Sequence, residues 1–130
     1  MSNINNLIEN SKAMTIGNVD YEVIREAESQ LRFTFPQEYR NFIESFGSLA
    51  CGSNEVFGLG TNDYLNVVNA TQQERDLNEN MLESYIVIQN LGVEGILIVM
   101  DADGTIYEYR NNEFKKLYDS FYDFLKQEIL

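Results

Sequence analysis

The chain has 130 residues and a formal net charge of −12, from 21 acidic against 9 basic side chains, with no histidine and one cysteine. These numbers exclude whole classes of chemistry. Without histidine there is no Ser-His-Asp or Cys-His nucleophile and no zinc–histidine centre, and a lone Cys51 permits neither an internal disulfide nor a multi-cysteine metal site. The negative charge repels nucleic acid, whose binding needs Lys or Arg to release counterions, and repels anionic membranes; it attracts and steers a basic protein. Acidity also serves solubility alone.

A hydrophobic content of 44% is enough for one core at this length, so residues 1–130 are expected to form a single domain. No apolar run approaches the roughly 20 residues that cross a bilayer. The opening "MSNINNLIEN" has neither the basic start nor the apolar stretch of a secretory signal, and a cytoplasmic location is expected.

In chain order, Asn3 to Lys12 reads as a weak helix with Ile4, Leu7 and Ile8 on one side. Gly17 and Asn18 break it within Met14 to Val19; residues 1–19 are thus an N-terminal helix and loop. Asp20 is a candidate cap for a helix that runs to about Leu31 and shows Ile24, Ala27 and Leu31 on one face. Pro36 opens and Gly47 closes the clearest helix: Tyr39, Phe42, Ile43 and Phe46 fall at i, i+3, i+4 and i+7.

The period then changes. "EVFGLG", Glu55 to Gly60, reads as a short strand with glycines at a bend, and Tyr64 to Val68 as another extended piece. Asn69 to Ser84 is polar, helix-compatible and expected at the surface, capped by Asn69 or Thr71. Tyr85 to Asn90 and Gly95 to Met100 are β-branched runs expected as inner strands. Asp101 to Gly104 is a tight turn, Thr105 to Tyr109 the return strand, and Asn111–Asn112 a second turn. Glu113 to Tyr118 reads as an edge strand guarded by its lysines. Asp119 to Leu130 closes as a helix, capped by Ser120 and buried through Phe121, Phe124, Leu125 and Ile129. The order predicts an α+β fold, a mostly antiparallel sheet of about five to six strands with helices packed against it.

Three pieces carry a resemblance: Glu28-Ser-Gln-Leu31 followed by Phe35-Pro36, Tyr39-Arg40-Asn41-Phe42-Ile43 and Gly47; then "EVFGLG"; then "SFYDFL" at Ser120 to Leu125. Their order and spacing resemble the SUKH superfamily, the Smi/Knr-like proteins, from about residue 20 to the C-terminus. Arg32 stands where that pattern has glycine, Phe35 where it has leucine, and the tryptophan of many members is missing. The resemblance implies a SUKH fold, no cofactor, no metal and no enzyme activity. It implies an immunity protein that binds a cognate polymorphic or contact-dependent toxin, a basic nuclease domain, as a monomer or weak dimer. The alternative it offers is a scaffold of the kind seen in fungal cell-wall signalling.

Acidic side chains in polar segments are the candidate partner contacts: Asp63, Glu74, Asp76 and Glu79 before the inner strands, and Asp101 and Asp103 in the tight turn. Tyr64 and Tyr85 are candidate aromatic anchors, a type favoured at interfaces. For each, the plain alternative is a solvated charge or a turn residue. Glu28 is expected to bond near the loop that follows it. "DADGT" is not an EF-hand: the twelfth position from Asp101 is Asn112, where a bidentate glutamate is required. A carboxylate-based hydrolase would need two carboxylates facing one pocket, with one pKa raised.

Overall fold

The computed structural model describes residues 4–60, 66–78 and 82–130. The described elements are α1 (Ile4–Glu9), β1 (Met14–Thr15), α2 (Tyr21–Leu31), α3 (Gln37–Phe46), β2 (Leu49–Cys51), β3 (Asn54–Val56), α4 (Val67–Leu77), β4 (Tyr85–Asn90), β5 (Leu97–Asp101), β6 (Ile106–Arg110), β7 (Glu113–Tyr118) and α5 (Phe121–Phe124), which continues as a π-helical turn over Leu125–Ile129. The α+β, antiparallel reading holds. The strands divide between two sheets, ordered β1-β2-β3 and β4-β5-β6-β7.

The helices follow their apolar spacing. α2 buries Ile24, Ala27 and Leu31, and α3 buries Tyr39, Phe42, Ile43 and Phe46. Asp20 occupies the N-cap of α2, but its side chain makes no cap bond, so the expected role of its carboxylate is not realised. Pro36 sits at the N-cap of α3 rather than inside its first turn. Arg32 ends α2 in the left-handed conformation (φ 52°, ψ 48°). The Phe33 N–H reaches the Glu28 carbonyl at 3.1 Å and the Arg32 N–H that of Ser29 at 3.3 Å, the two bonds of a Schellman cap. That conformation accounts for the glycine expected here. Glu28 Oε2 takes the Phe35 N–H at 2.8 Å and Arg40 Nη2 at 2.6 Å, locking the α2–α3 connection as anticipated.

The long strands match their sequence runs closely. Asn111 and Asn112, at φ 53° and 65°, form the two-residue turn between β6 and β7. The Asp101 turn closes through Gly104 N–H to the Asp101 carbonyl at 3.0 Å, with Gly104 at φ 89°. β4 departs from expectation, since it lies at an edge of its sheet. That edge is covered: the Val87 N–H is taken by the Thr71 hydroxyl at 2.9 Å, and the Phe57 N–H donates to the Ile88 carbonyl at 2.8 Å. Ile88 also falls at a bulge, where the register shifts between Val87 and Gln89, so Ile86, Val87 and Ile88 are all buried.

One face of the larger sheet, through Met100, Ile106 and Tyr118, turns to the C-terminal helix, with Tyr118 and Phe124 at 6.1 Å. Phe121 joins that helix to α3 through Tyr39 at 5.3 Å and Phe42 at 5.2 Å. The two sheets meet at Phe57, whose carbonyl accepts the buried Tyr39 hydroxyl at 2.6 Å. Beside it Gly58 crosses Gly47 backbone to backbone: a Cβ on Gly58 would lie 1.7 Å from the Gly47 oxygen.

Two stability tests follow from these contacts. Gly58→Ala forces the crossing apart and is expected to cost about 3 kcal/mol or more, read as a fall in the urea midpoint. Arg32→Gly relieves a left-handed non-glycine residue. It is expected to raise stability by about 0.5–1 kcal/mol, since the relief exceeds the added chain entropy of glycine; an unchanged or lower midpoint would refute that reading.

Candidate partner-binding surface

α4 begins two residues earlier than its polar stretch suggests. Val67 and Val68 look extended in sequence, but Asn66 Oδ1 takes the N–H groups of Val68 at 2.8 Å and Asn69 at 3.1 Å and starts a helix there. The cap is therefore Asn66, not Asn69 or Thr71. The helix is polar outside yet buries Val67, Val68 and Thr71. Its far end is clamped by Arg75, whose guanidinium donates to the carbonyls of Leu31 at 2.7 Å, Leu82 at 3.0 Å, Glu83 at 3.2 Å and Tyr85 at 3.0 Å. Burial lowers the pKa of this guanidinium from its ordinary value, against an opposing pull from Glu83.

From α4 a continuous strip runs over the outer face of the larger sheet. Asn78 Nδ2 reaches Glu74 Oε1 at 3.3 Å, and the Tyr109 hydroxyl donates to Asn78 Oδ1 at 3.1 Å. The Tyr109 ring lies 4.8 Å from Phe114, which stacks on Tyr85 at 4.4 Å and 19°. Tyr85 meets Tyr107 edge-on at 5.7 Å, and the Tyr107 hydroxyl donates to Asp101 Oδ2 at 3.0 Å. Tyr85, Tyr107 and Phe114 are only half-buried. The result is an aromatic patch with a carboxylate at either end, the composition that interface hot spots favour.

The candidate residues distribute unevenly over this strip. Glu74 and Asp101 mark its two ends and Tyr85 its middle. Asp103 is exposed in the turn beside Asp101, and Asp76 is exposed on α4. Asp101 also works inside the turn, where its Oδ1 takes the N–H groups of Asp103 at 2.9 Å and Thr105 at 3.0 Å. Asp63, Tyr64 and Glu79 lie outside the described residues. Sequence reading missed Tyr107, Tyr109 and Phe114. The signal was the alternation Tyr107-x-Tyr109, which puts both rings on one face, and the two-residue turn that sets Phe114 opposite Tyr109.

Burial, with help from the hydrogen bond to Asp101, raises the Tyr107 pKa; burial and the nearby Glu74 charge raise that of Tyr109. Between α4 and the β3 and β4 strands lies a cleft of about 350 Å³, with Glu74 in its lining. Among the described residues no three His, Cys, Asp or Glu side chains gather as a metal site, and no helix is long and apolar enough to cross a membrane.

Two antiparallel sheets joined at Phe57 and packed on helices define an α+β protein of SUKH-like fold. The chain belongs to the SUKH family described as SMI1-KNR4 cell-wall, which matches residues 1–130. A crystal structure of a protein from Pseudomonas syringae pv. tomato is similar in fold, with a TM-score of 0.78 over 96% of this chain and 94% of that one at 17% identity. No curated protein matches the chain.

The Tyr107–Asp101 pair can be tested by titration. A tyrosine whose pKa is raised by folding stays protonated where the unfolded chain ionises. Its stabilisation is therefore complete below about pH 10 and is lost as pH rises through the folded value. Asp101→Asn keeps the Oδ1 acceptor for the turn and removes the charge. The Tyr107 ring resonances should then titrate at lower pH than in the parent chain; an unchanged titration would dissociate the two groups.

Proposed function

We propose that the chain is an immunity protein that binds a cognate toxin domain, a basic nuclease, and blocks it by occlusion without catalysis of its own. The observation that carries this reading is the aromatic–acidic strip from Glu74 through Tyr85 and Tyr107 to Asp101 on a chain of net charge −12. A nuclease that grips phosphates presents a basic cleft. An acidic protein is steered to it over a distance, and aromatic side chains then supply the close contact. Membership of the SUKH family supports the reading. In it the chain acts as one cytoplasmic domain, a monomer or weak dimer, and makes its contacts through Glu74, Asp76, Asp101, Asp103 and Tyr85, with Asp63, Tyr64 and Glu79 nearby in sequence. The cell-wall description of the family favours a second reading, a scaffold for several protein partners.

The test is capture of the toxin encoded by the neighbouring gene, followed by a nuclease assay. Purified protein in excess should abolish the nuclease activity; a toxin that stays active rejects the reading, and capture of several unrelated partners instead would support the scaffold. Reversing Glu74, Asp76 and Asp103 together should slow association about tenfold or more and flatten its salt dependence. Asp101 is left intact because its carboxylate holds the turn. Unchanged association kinetics would place the contact surface elsewhere.

A further inference from the structure

The cleft between α4 and β4 has a lining of its own chemistry. Glu74 supplies a carboxylate and Gln73 an amide oxygen, the Asn90 Oδ1 already takes the Gly92 N–H at 2.9 Å, and Phe57 and Val87 give an apolar floor. Its volume of about 350 Å³ suits a single side chain or small ligand, in the range of roughly 300–1,000 Å³ usual for such sites. Among the described residues no lysine or arginine lines it. The cation adjacent to Glu74 in sequence, Arg75, is held by four carbonyls, and Arg110 pairs with Glu94 at 3.7 Å. Asn78 Nδ2 steadies one oxygen of Glu74 at 3.3 Å and leaves the second oxygen to other donors.

Such a site is complementary to one kind of group. A guanidinium offers five N–H donors in a fixed planar fork, is weakly hydrated for a cation, and is carried on an apolar stem. A carboxylate and an amide oxygen lining one cleft receive the fork, and an aromatic–aliphatic floor receives the stem and the flat face. The geometry points to this cleft as the receptor for an arginine side chain presented by a protein partner. The assignment rests on the proposed binding role for the identity of that partner, while the chemistry of the cleft stands by itself. Glu74 then lines the cleft and also closes the aromatic strip through Asn78, so one partner can engage both.

The cleft can be probed without any toxin. Nα-acetyl-arginine methylamide is titrated into the ¹⁵N-labelled chain. The Gln73 and Asn90 side-chain amides and the Gly92 N–H should shift saturably. The isosteric citrulline analogue, which lacks the charge, should bind at least about tenfold more weakly. Glu74→Gln should weaken the arginine probe by a similar factor, while Glu94→Gln, the same charge change on the adjoining loop, should leave it unaltered. Absence of saturable shifts, equal binding of citrulline, equal binding of the lysine analogue, or equal loss with Glu94→Gln would each overturn the assignment. Spectral dispersion of Glu74→Gln verifies its fold. Probe binding retained without toxin capture would count against the immunity reading alone; toxin capture retained without probe binding would count against the cleft alone.

Discussion

The structure depends on the backbone of three residues, Phe57 to Leu59. The Phe57 carbonyl holds the Tyr39 hydroxyl of α3, and its N–H holds the Ile88 carbonyl of β4. The Gly58 carbonyl accepts the Val67 N–H at the start of α4 at 2.7 Å, and the Leu59 N–H donates to the Gly47 carbonyl at 3.0 Å. Two sheets and two helices thus meet on consecutive peptide groups. Buried peptide groups must find partners, because an unpaired one costs about as much as a lost hydrogen bond. Here the partners come from α3 and its C-cap Gly47, from β4 and from α4, so none of those three elements can shift alone. The approach is close enough to exclude any side chain at Gly58. The same junction keeps Tyr39 buried, and that burial pushes its pKa well above the ordinary tyrosine value.

The junction also explains how a polar helix becomes a fixed platform. α4 has little apolar surface with which to hold itself down. Its first turn is fixed by the bond from Val67 to Gly58 and by the Asn66 cap, its middle by Thr71 on the edge of β4, and its end by Arg75. These are directional polar bonds to backbone carbonyls and N–H groups, the one from Val87 to Thr71 fully buried. Because they lie on the inner side of the helix, the outer residues remain exposed and carry charge without weakening the attachment. A surface held in this way loses little side-chain and loop entropy when a partner binds.

Much of the frame was legible from sequence. α3 was clear because four large apolar groups fall at helical spacing between a proline and a glycine, and the C-terminal helix because Ser120 caps it, its Oγ taking the Asp123 N–H at 3.1 Å. β4 to β7 were legible as β-branched or alternating runs parted by Asp-Gly and Asn-Asn turns. β1 and β2 were not, since strands of two and three residues are too short to show a period. Val67 and Val68 misled because β-branched residues favour strands locally, and a cap and a tertiary bond override that preference. The surface was half legible. Acidic residues could be named from polarity, but the aromatic strip exists only once the register pairs Tyr109 with Phe114 and Tyr85 with Asp101.

Under the proposed function, charge and shape divide the work of recognition. Among the described residues three ion pairs form, Arg40–Glu28, Arg110–Glu94 and Lys116–Asp119. Arg75 is held by carbonyls, and Arg25 and Lys126 lie over the rings of Tyr21 and Tyr122. Most of the nine cations are therefore occupied locally, and the excess of acidic groups is left to act as a field. That field extends over roughly 8 Å at physiological ionic strength, enough to orient a basic partner before contact but too diffuse to choose among basic partners. In the proposed binding role, selection has to come from groups with fixed geometry, and the molecule offers two sets: rings held edge to face across three strands, and the Glu74 carboxylate beside an amide in the cleft at α4. In that role the acidity would set the rate of encounter, and the junction at Phe57, by holding the sheet and the helix in one relation, would set which encounters last.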